Sequence, residues 1–410
     1  MRSSRPAVGS WFLLALALAA CGRGDDSGDE GGWVSVVDTL GTGAVRLTHA
    51  PPSAPGPAAT LREELRIGSG DSSDAIAFGA IKGIEVLDDG RIAVLDAMAK
   101  EVRLFNASGD LLEVVGQAGQ GPEEFGEPFG LMQDAAGRLW VPDYGNARMA
   151  VLDPGQGFVA SFPLQLLSRG FVWNGAMSRD GRILVPSITL GPPRGNILRV
   201  YDASMNQVDS LPLPDTEVRD PRNQPGAFYW EAPGGRGMGF FQIPFFPMGQ
   251  RLLDPAGGVW STEAGDGSYR VKHWAPGGDT LLVIQANRTS LTIPTAERDS
   301  AIASVRERLQ RFGGADQDYS RVPTVRPAVL SIILSDEGQL WVETPNPLGG
   351  TLYDRYDRGG AFLGSVSGSL RLAPGLRPFI RGEYLWAALT DDLDVPYVAR
   401  FRIIQPVPPA

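Results

Sequence analysis

The 410-residue chain carries 37 basic and 47 acidic residues, a formal net charge of −10, and 43% of its residues are hydrophobic. Its only lysines are Lys82, Lys100 and Lys272, and it has no basic run. An acidic balance without such a run argues against nucleic acid, where phosphate neutralisation drives binding, and against broad adsorption to anionic lipid.

At the N-terminus, Arg2 and Arg5 precede an apolar stretch from Trp11 to Leu18, and small residues then lead to Cys21, the single cysteine. The apolar stretch is too short to span a bilayer, so residues 1–20 read as a removable export signal. Leu18-Ala19-Ala20-Cys21 resembles the bacterial lipobox. That resemblance implies cleavage before Cys21 and lipidation of its thiol; the alternative is an ordinary secretory signal with a coincident cysteine. Each buried lipid methylene contributes about 0.8 kcal/mol, so more than one acyl chain holds a protein stably on a membrane. Gly22, where the family's sorting rule places aspartate for inner-membrane retention, implies the outer membrane. A lone cysteine, once lipidated, leaves none for a disulfide, a metal or a nucleophile.

Residues 21–32 are polar, acidic and glycine-rich, and are expected to form a flexible tether. Residues 33–60 read as a hairpin turned at Gly41-Thr42-Gly43, packed across one face of the domain that begins at residue 61, and then a proline-rich spacer.

From residue 61 onward a pattern recurs: a polar turn ending in glycine, then an apolar run that often holds tryptophan. Copies begin at Asp88, Asp134, Arg179, Asp254, Ser335 and Arg381, with turn glycines at Gly90, Gly137, Gly181, Gly257, Gly338 and Gly382. Three of the five spacings are near 45 residues, a period typical of propeller blades. Each unit is a small antiparallel sheet with two apolar faces, and only radial stacking buries both. The long spacings hold insertions. One, from Pro212 to Pro247, is rich in proline, glycine and aromatics; the other is an amphipathic helix, about 295–314, with Ile302, Val305, Leu309 and Phe312 on one side and Gly313-Gly314 as its stop. The helix is expected to lie on one face of the ring. Six copies predict six blades over 61–410, with the strand from Leu61 completing the last blade and removing its open edge. A divergent seventh copy hidden in the insertions is the alternative.

The run from Gly116 to Asp153 resembles the NHL repeat through Gly121-Pro122, Phe125, Asp134, Gly137, Val141, Asp143, Asn146 and Arg148. The preceding copy keeps Asp96 but has Ala99 and Glu101 where asparagine and arginine belong. The resemblance, over roughly 61–403, implies an all-β, six-bladed β-propeller and says little about activity.

Candidate sites are sparse. Asp96, Asp143, Ser187, Glu263, Thr344 and Leu389 occupy equivalent positions; three carboxylates at one level suit either a metal or acid–base centre, or caps on turns between strands. His49 and His273 are isolated, whereas similar zinc-dependent amidating lyases use several histidines. Propeller lactonases hold calcium with central Glu, Asn and Asp residues; Asn174, Asn196 and Asn346 are the asparagines here that could contribute. Phe228, Tyr229, Trp230 and Arg236 fall in a Gly/Pro-rich segment expected to be a ligand-binding loop, followed by QIPFFP, expected to be an inner strand between blades. The combined reading is a monomeric, envelope-anchored binding or scaffold module for a protein, peptide or glycan, requiring no cofactor. The competing reading is a calcium-dependent hydrolase or lyase working at the central channel.

Overall fold

The computed structural model describes residues 34–50, 59–68, 76–164, 175–189, 195–217, 224–231, 237–275 and 278–405. The signal, the tether, Cys21, Asn174 and Arg236 lie outside the described residues.

The repeat turns are the most regular feature. The N–H groups of Gly90, Gly137, Gly181, Gly257 and Gly338 donate at 2.8–2.9 Å to the carbonyls of Leu87, Asp134, Ser178, Asp254 and Ser335, three residues earlier. All five glycines have φ between +80° and +108°, which a Cβ disfavours. Each turn joins the first two strands of a blade, and the four antiparallel strands of a blade succeed one another outward. Blade one has Ile81–Val86, Ile92–Asp96, Glu101–Phe105 and Leu111–Val115; blade two has Met132–Gln133, Leu139–Asp143, Arg148–Asp153 and Gly157–Pro163. Blade three has Ala176–Met177, Ile183–Thr189, Gly195–Tyr201 and Gln207–Glu217, and blade four Arg251–Leu253, Val259–Ser261, Arg270–Trp274 and Thr280–Ala286. Blade five has Ser331–Leu334, Leu340–Pro345, Thr351–Tyr356 and Phe362–Gly368. Blade six has Phe379–Arg381, Tyr384–Thr390 and Pro396–Ile404 from the C-terminal end of the chain.

The second strands of blades one and two are buried along their whole length, because each is covered on both faces by neighbouring blades. Six hydrophobic cores result, one per junction, and they close the ring. Leu95 meets Leu139 between blades one and two, and Trp140 meets Ile183 between two and three. Leu198 meets Val259, Trp260 meets Leu340, Trp341 meets Leu385, and Trp386 meets Val94 at the remaining junctions. Each fully buried large side chain contributes about 1.5–3 kcal/mol.

Three strands precede blade one: β1 (Val34–Thr39), β2 (Val45–Ala50) and β3 (Ala59–Ile67). As the sequence predicts, β3 completes blade six, pairing antiparallel from Ile67↔Val398 to Thr60↔Ile404. It also pairs briefly in parallel with blade five at Ala59↔Val366. The β1–β2 hairpin does not lie across a face. Instead β2 runs parallel to the outer strand of blade four, from Val45↔Leu282 to His49↔Ala286, giving a six-stranded sheet. Burial of Leu47 in the core between blades four and five, and of His49 beside it, explains this edgewise docking.

The helix, α1 (Thr295–Arg311), buries Val305 and Leu309 and partly buries Ile302. Gly313, at φ +72°, ends it: Gly314 N–H donates to Leu309 O and Gly313 N–H to Gln310 O, a Schellman closure. The buried side of α1 packs on a two-stranded hairpin, Ala227–Glu231 with Met238–Gln242, rather than on the ring face expected from sequence. QIPFFP is likewise not an inner strand. The strand ends at Gln242, and Ile243, Phe245 and Phe246 pack with Val305, Leu309 and Val322. Two insertions distant in sequence thus share one satellite core, and among the described residues no seventh blade forms. None of the described helices is long and apolar enough to cross a membrane.

Candidate functional site

Among the described residues, the junction between blades three and four is the thinnest. Its core has four buried side chains, Leu198, Leu213, Leu253 and Val259, against seven to twelve at the other junctions among the described residues. The two-residue first strand of blade three supplies little to fill the wedge. A cleft with a cavity of about 560 Å³ opens there, floored by Leu184, Leu198, Val200, Leu211, Leu213 and Val259. Its rim carries Arg179, Asp180, Arg182, Asp209 and Asp254.

The two walls are stitched at the turns. Arg179 N–H donates to Pro255 O at 3.0 Å, while its guanidinium reaches Asp336 O at 3.2 Å. Arg182 Nε lies 3.0 Å from Asp180 Oδ2, and the Ser178 hydroxyl donates to the same carboxylate. That hydroxyl, followed by Arg182, holds Asp180 below the usual carboxylate range. Two guanidiniums and three carboxylates around an apolar floor suit an amphipathic guest, whose apolar part enters while its polar groups meet the rim.

A second feature begins at the rim residue Asp254. Asp254 is buried, accepts from Ala256 N–H at 2.8 Å, and faces His273 Nε2 at 3.7 Å and Arg358 Nη1 at 4.0 Å. The imidazole stacks on Trp260, centroids 4.4 Å apart at 18°. His273 Nε2 has no hydrogen-bond partner among the described residues. Burial pushes the imidazole pKa down, opposed by Asp254. His273 does not line the cleft.

The repeated carboxylates act as caps. Asp143, wholly buried, accepts from Gly126 N–H at 3.1 Å, Glu127 N–H at 2.7 Å and Asn146 Nδ2 at 2.7 Å, with Arg148 Nε at 3.7 Å. Asp96 accepts from Gly79, Ala80, Met98 and Ala99 N–H at 2.8–3.3 Å. Each therefore ties the turn after its strand to the connection arriving from the preceding blade. Glu263 pairs instead with Lys272, and Thr344 and Leu389 are buried. Among the described residues, no three His, Cys, Asp or Glu side chains gather as a metal group would require.

Phe228, Tyr229 and Trp230 lie on a strand, not in a loop. Alternation decides their surroundings. Phe228 points into the satellite core, fully buried, edge-on to Tyr319 with centroids 5.5 Å apart. Trp230, on the same side, is half-buried and stacks on Phe312 at 5.4 Å. Tyr229 turns outward, its hydroxyl 3.3 Å from Glu231 Oε2.

Sequence patterns do not reveal the cleft, nor a buried polar cluster between blades four and five. Asp354, wholly buried, accepts from Tyr269 Oη at 2.9 Å and Ser365 Oγ at 2.7 Å, and is bonded by Arg288; Tyr356 Oη donates to Tyr269 Oη at 3.0 Å. His49 packs against Tyr356, bonds Gly360 O at 3.0 Å and Ser35 Oγ at 2.9 Å, and has its pKa lowered by burial. An aspartate at the centre of the strand LYDRY is the one sequence signal of this cluster.

Comparison with known proteins agrees with the architecture. Residues 71–138 match the family DUF5128, described as a 6-bladed beta-propeller. The chain is 29% identical over 148 residues to NHL repeat-containing protein 3 of Homo sapiens, covering 35% of this chain and 39% of that protein. The mouse protein of the same name is 31% identical over 114 residues, covering 27% and 29%. The chain thus spans well under half the length of these curated relatives. A solved structure of a DUF4221 family member from Bacteroides vulgatus is similar in fold, with a TM-score of 0.51 and 12% identity over 85% of this chain and 99% of that one. Repeat pattern, blade topology and ring closure lead to one conclusion: the chain is a six-bladed β-propeller, whose second blade is similar to an NHL repeat.

Proposed function

We propose that this chain is a membrane-anchored, extracytoplasmic propeller that acts as a binding module, holding part of a protein, peptide or glycan in the cleft between blades three and four. The observation that carries the reading is the cavity of about 560 Å³ with an apolar floor and a rim of both charges. Pockets of roughly 300–1,000 Å³ are the usual size for specific guests. The mechanism is presentation: a rigid ring fixes the two walls, and the guest displaces water from the floor while the rim orients its polar groups. Anchoring is supported by the residues around Cys21.

A photo-cross-linking residue at Ala275, on the cleft wall, tests the binding in intact cells. A discrete adduct is expected, and Leu198→Trp, which fills the floor, should abolish it. Absence of any adduct at unchanged protein level would sink the reading. Cys21→Ser should move the protein from the membrane to the soluble fraction.

A further inference from the structure

We infer that the outer edge of β1 is a docking strand for β1 of a second copy, so that two chains pair edge to edge. β1 ends the six-stranded sheet, and among the described residues no strand pairs with its outer side. All six of its residues are exposed, with Val34, Val36 and Val37 at 63%, 57% and 66%. A free strand edge presents unpaired N–H and C=O groups, and proteins guard such edges with charges, prolines or bulges.

The other outer strands carry those guards. Leu111–Val115 has Glu113 at its centre and a register shift against its neighbour. Gly157–Pro163 ends in proline and opposes a bulge, and Gln207–Glu217 holds Asp209, Pro212 and Pro214. β3 is paired on both sides. β1 is different: its register with β2 is unbroken from Val34 to Thr39, and it contains no proline. Its one charge, Asp38, is already paired with Arg46 on β2.

The sequence VSVVDT also fits itself. Two antiparallel strands related by a two-fold axis through the sheet keep their faces, so each residue opposes one of the same parity. An axis at Val36 sets valine against valine, Ser35 against Val37 and Val34 against Asp38. An axis at Val37 again sets valine against valine, and Asp38 against Val36. In neither register does a carboxylate meet a carboxylate. A six-residue strand pair is small for a free-standing dimer. The pairing therefore rests on the anchoring proposed above, which raises the local concentration of tethered copies.

The experiment uses the full chain in cell membranes, with cysteine placed separately at Val36 and Val37. Oxidation should give a covalent homodimer with Val36→Cys or Val37→Cys. It should give none beyond the parent level with Leu348→Cys, at a 94% exposed position on the fifth blade. Adding Val36→Lys to the Val37→Cys chain, or Val37→Lys to the Val36→Cys chain, whichever cross-links, should remove the dimer while leaving the melting temperature unchanged, since both valines are exposed. The inference is overturned if neither cysteine cross-links, if Leu348→Cys cross-links equally, if the added lysine has no effect, or if the adduct contains a different protein. Fractionation of the same samples reports anchoring separately, so a soluble chain would indict the anchor and a membrane-bound chain without cross-links would indict the docking strand.

Discussion

Blades two and four begin with the same turn, aspartate then glycine, and continue with the same tryptophan, yet they spend those groups differently. In blade two, Asp134 gathers the Trp140 indole N–H at 2.9 Å, the N–H groups of Ala136 and Arg138 at 2.9 Å each, and Arg138 Nε at 2.8 Å. In blade four, the Asp254 carboxylate accepts, among the described residues, a hydrogen bond from the Ala256 N–H alone and turns its other oxygen towards His273 and Arg358. Trp260 Nε1 and His273 Nε2 are left without partners among the described residues. Blade two commits its aspartate and indole to holding the fold; blade four, beside the cleft, keeps polar capacity in reserve.

The largest expected effect lies in blade two. Asp143→Ala would leave two backbone N–H groups, an amide and a guanidinium facing a buried void, and should cost about 3 kcal/mol by chemical denaturation. Asp134→Ala should come next at about 2 kcal/mol, because the buried Trp140 indole loses its acceptor. Asp254→Ala is expected to cost only about 1 kcal/mol, one turn cap. A cost equal to that of Asp134→Ala would dissolve the contrast between the blades.

Acid sharpens the same comparison. Burial lowers the pKa of His273 in blade four and of His49 on β2 below the ordinary 6.5. The unfolded chain therefore takes up protons first, so their contribution is present above about pH 6.5 and is lost as pH falls towards the folded values. A melting curve against pH should decline below that point, and His273→Phe with His49→Gln should flatten the decline. Burial raises Asp134, but its bonds from Trp140 and Arg138 outweigh that and hold it low. Its contribution survives until pH falls through the depressed folded value, well below the histidine region.

The smallest expected effect is calcium. If blade four's spare oxygen or the central channel held the ion, a hundredfold excess over Kd would add about 2.7 kcal/mol, read as a higher melting temperature. No shift is expected. A saturable rise reversed by chelator would favour a calcium-dependent hydrolase or lyase.

The repeat was legible because a tight turn needs positive φ at one position, and glycine marks that position six times at the predicted residues. Asp143 as a cap was legible through the Asn146 and Arg148 that follow it in the repeat, although the N–H groups it serves, on Gly126 and Glu127, arrive from the preceding connection. The cleft was not, since its size depends on how little blade three and blade four place between them. Phe228 shows the same limit. It lies in a Gly/Pro-rich segment, but its neighbours in space are Val305 and Tyr319 from an insertion far along the chain.

By itself the sequence determined what local chemistry dictates: six repeated turns, blades with two apolar faces, a helix with a glycine stop, and a β3 strand matched to the last blade. Tertiary structure alone decided that two insertions share one core, that the β1–β2 hairpin joins blade four edge-on, and that Asp354 draws together Tyr269, Arg288 and Ser365. Turns and periodicities are settled by interactions within a few residues. Which faces meet, and where a gap remains, is settled by volumes and polar partners contributed from distant parts of the chain.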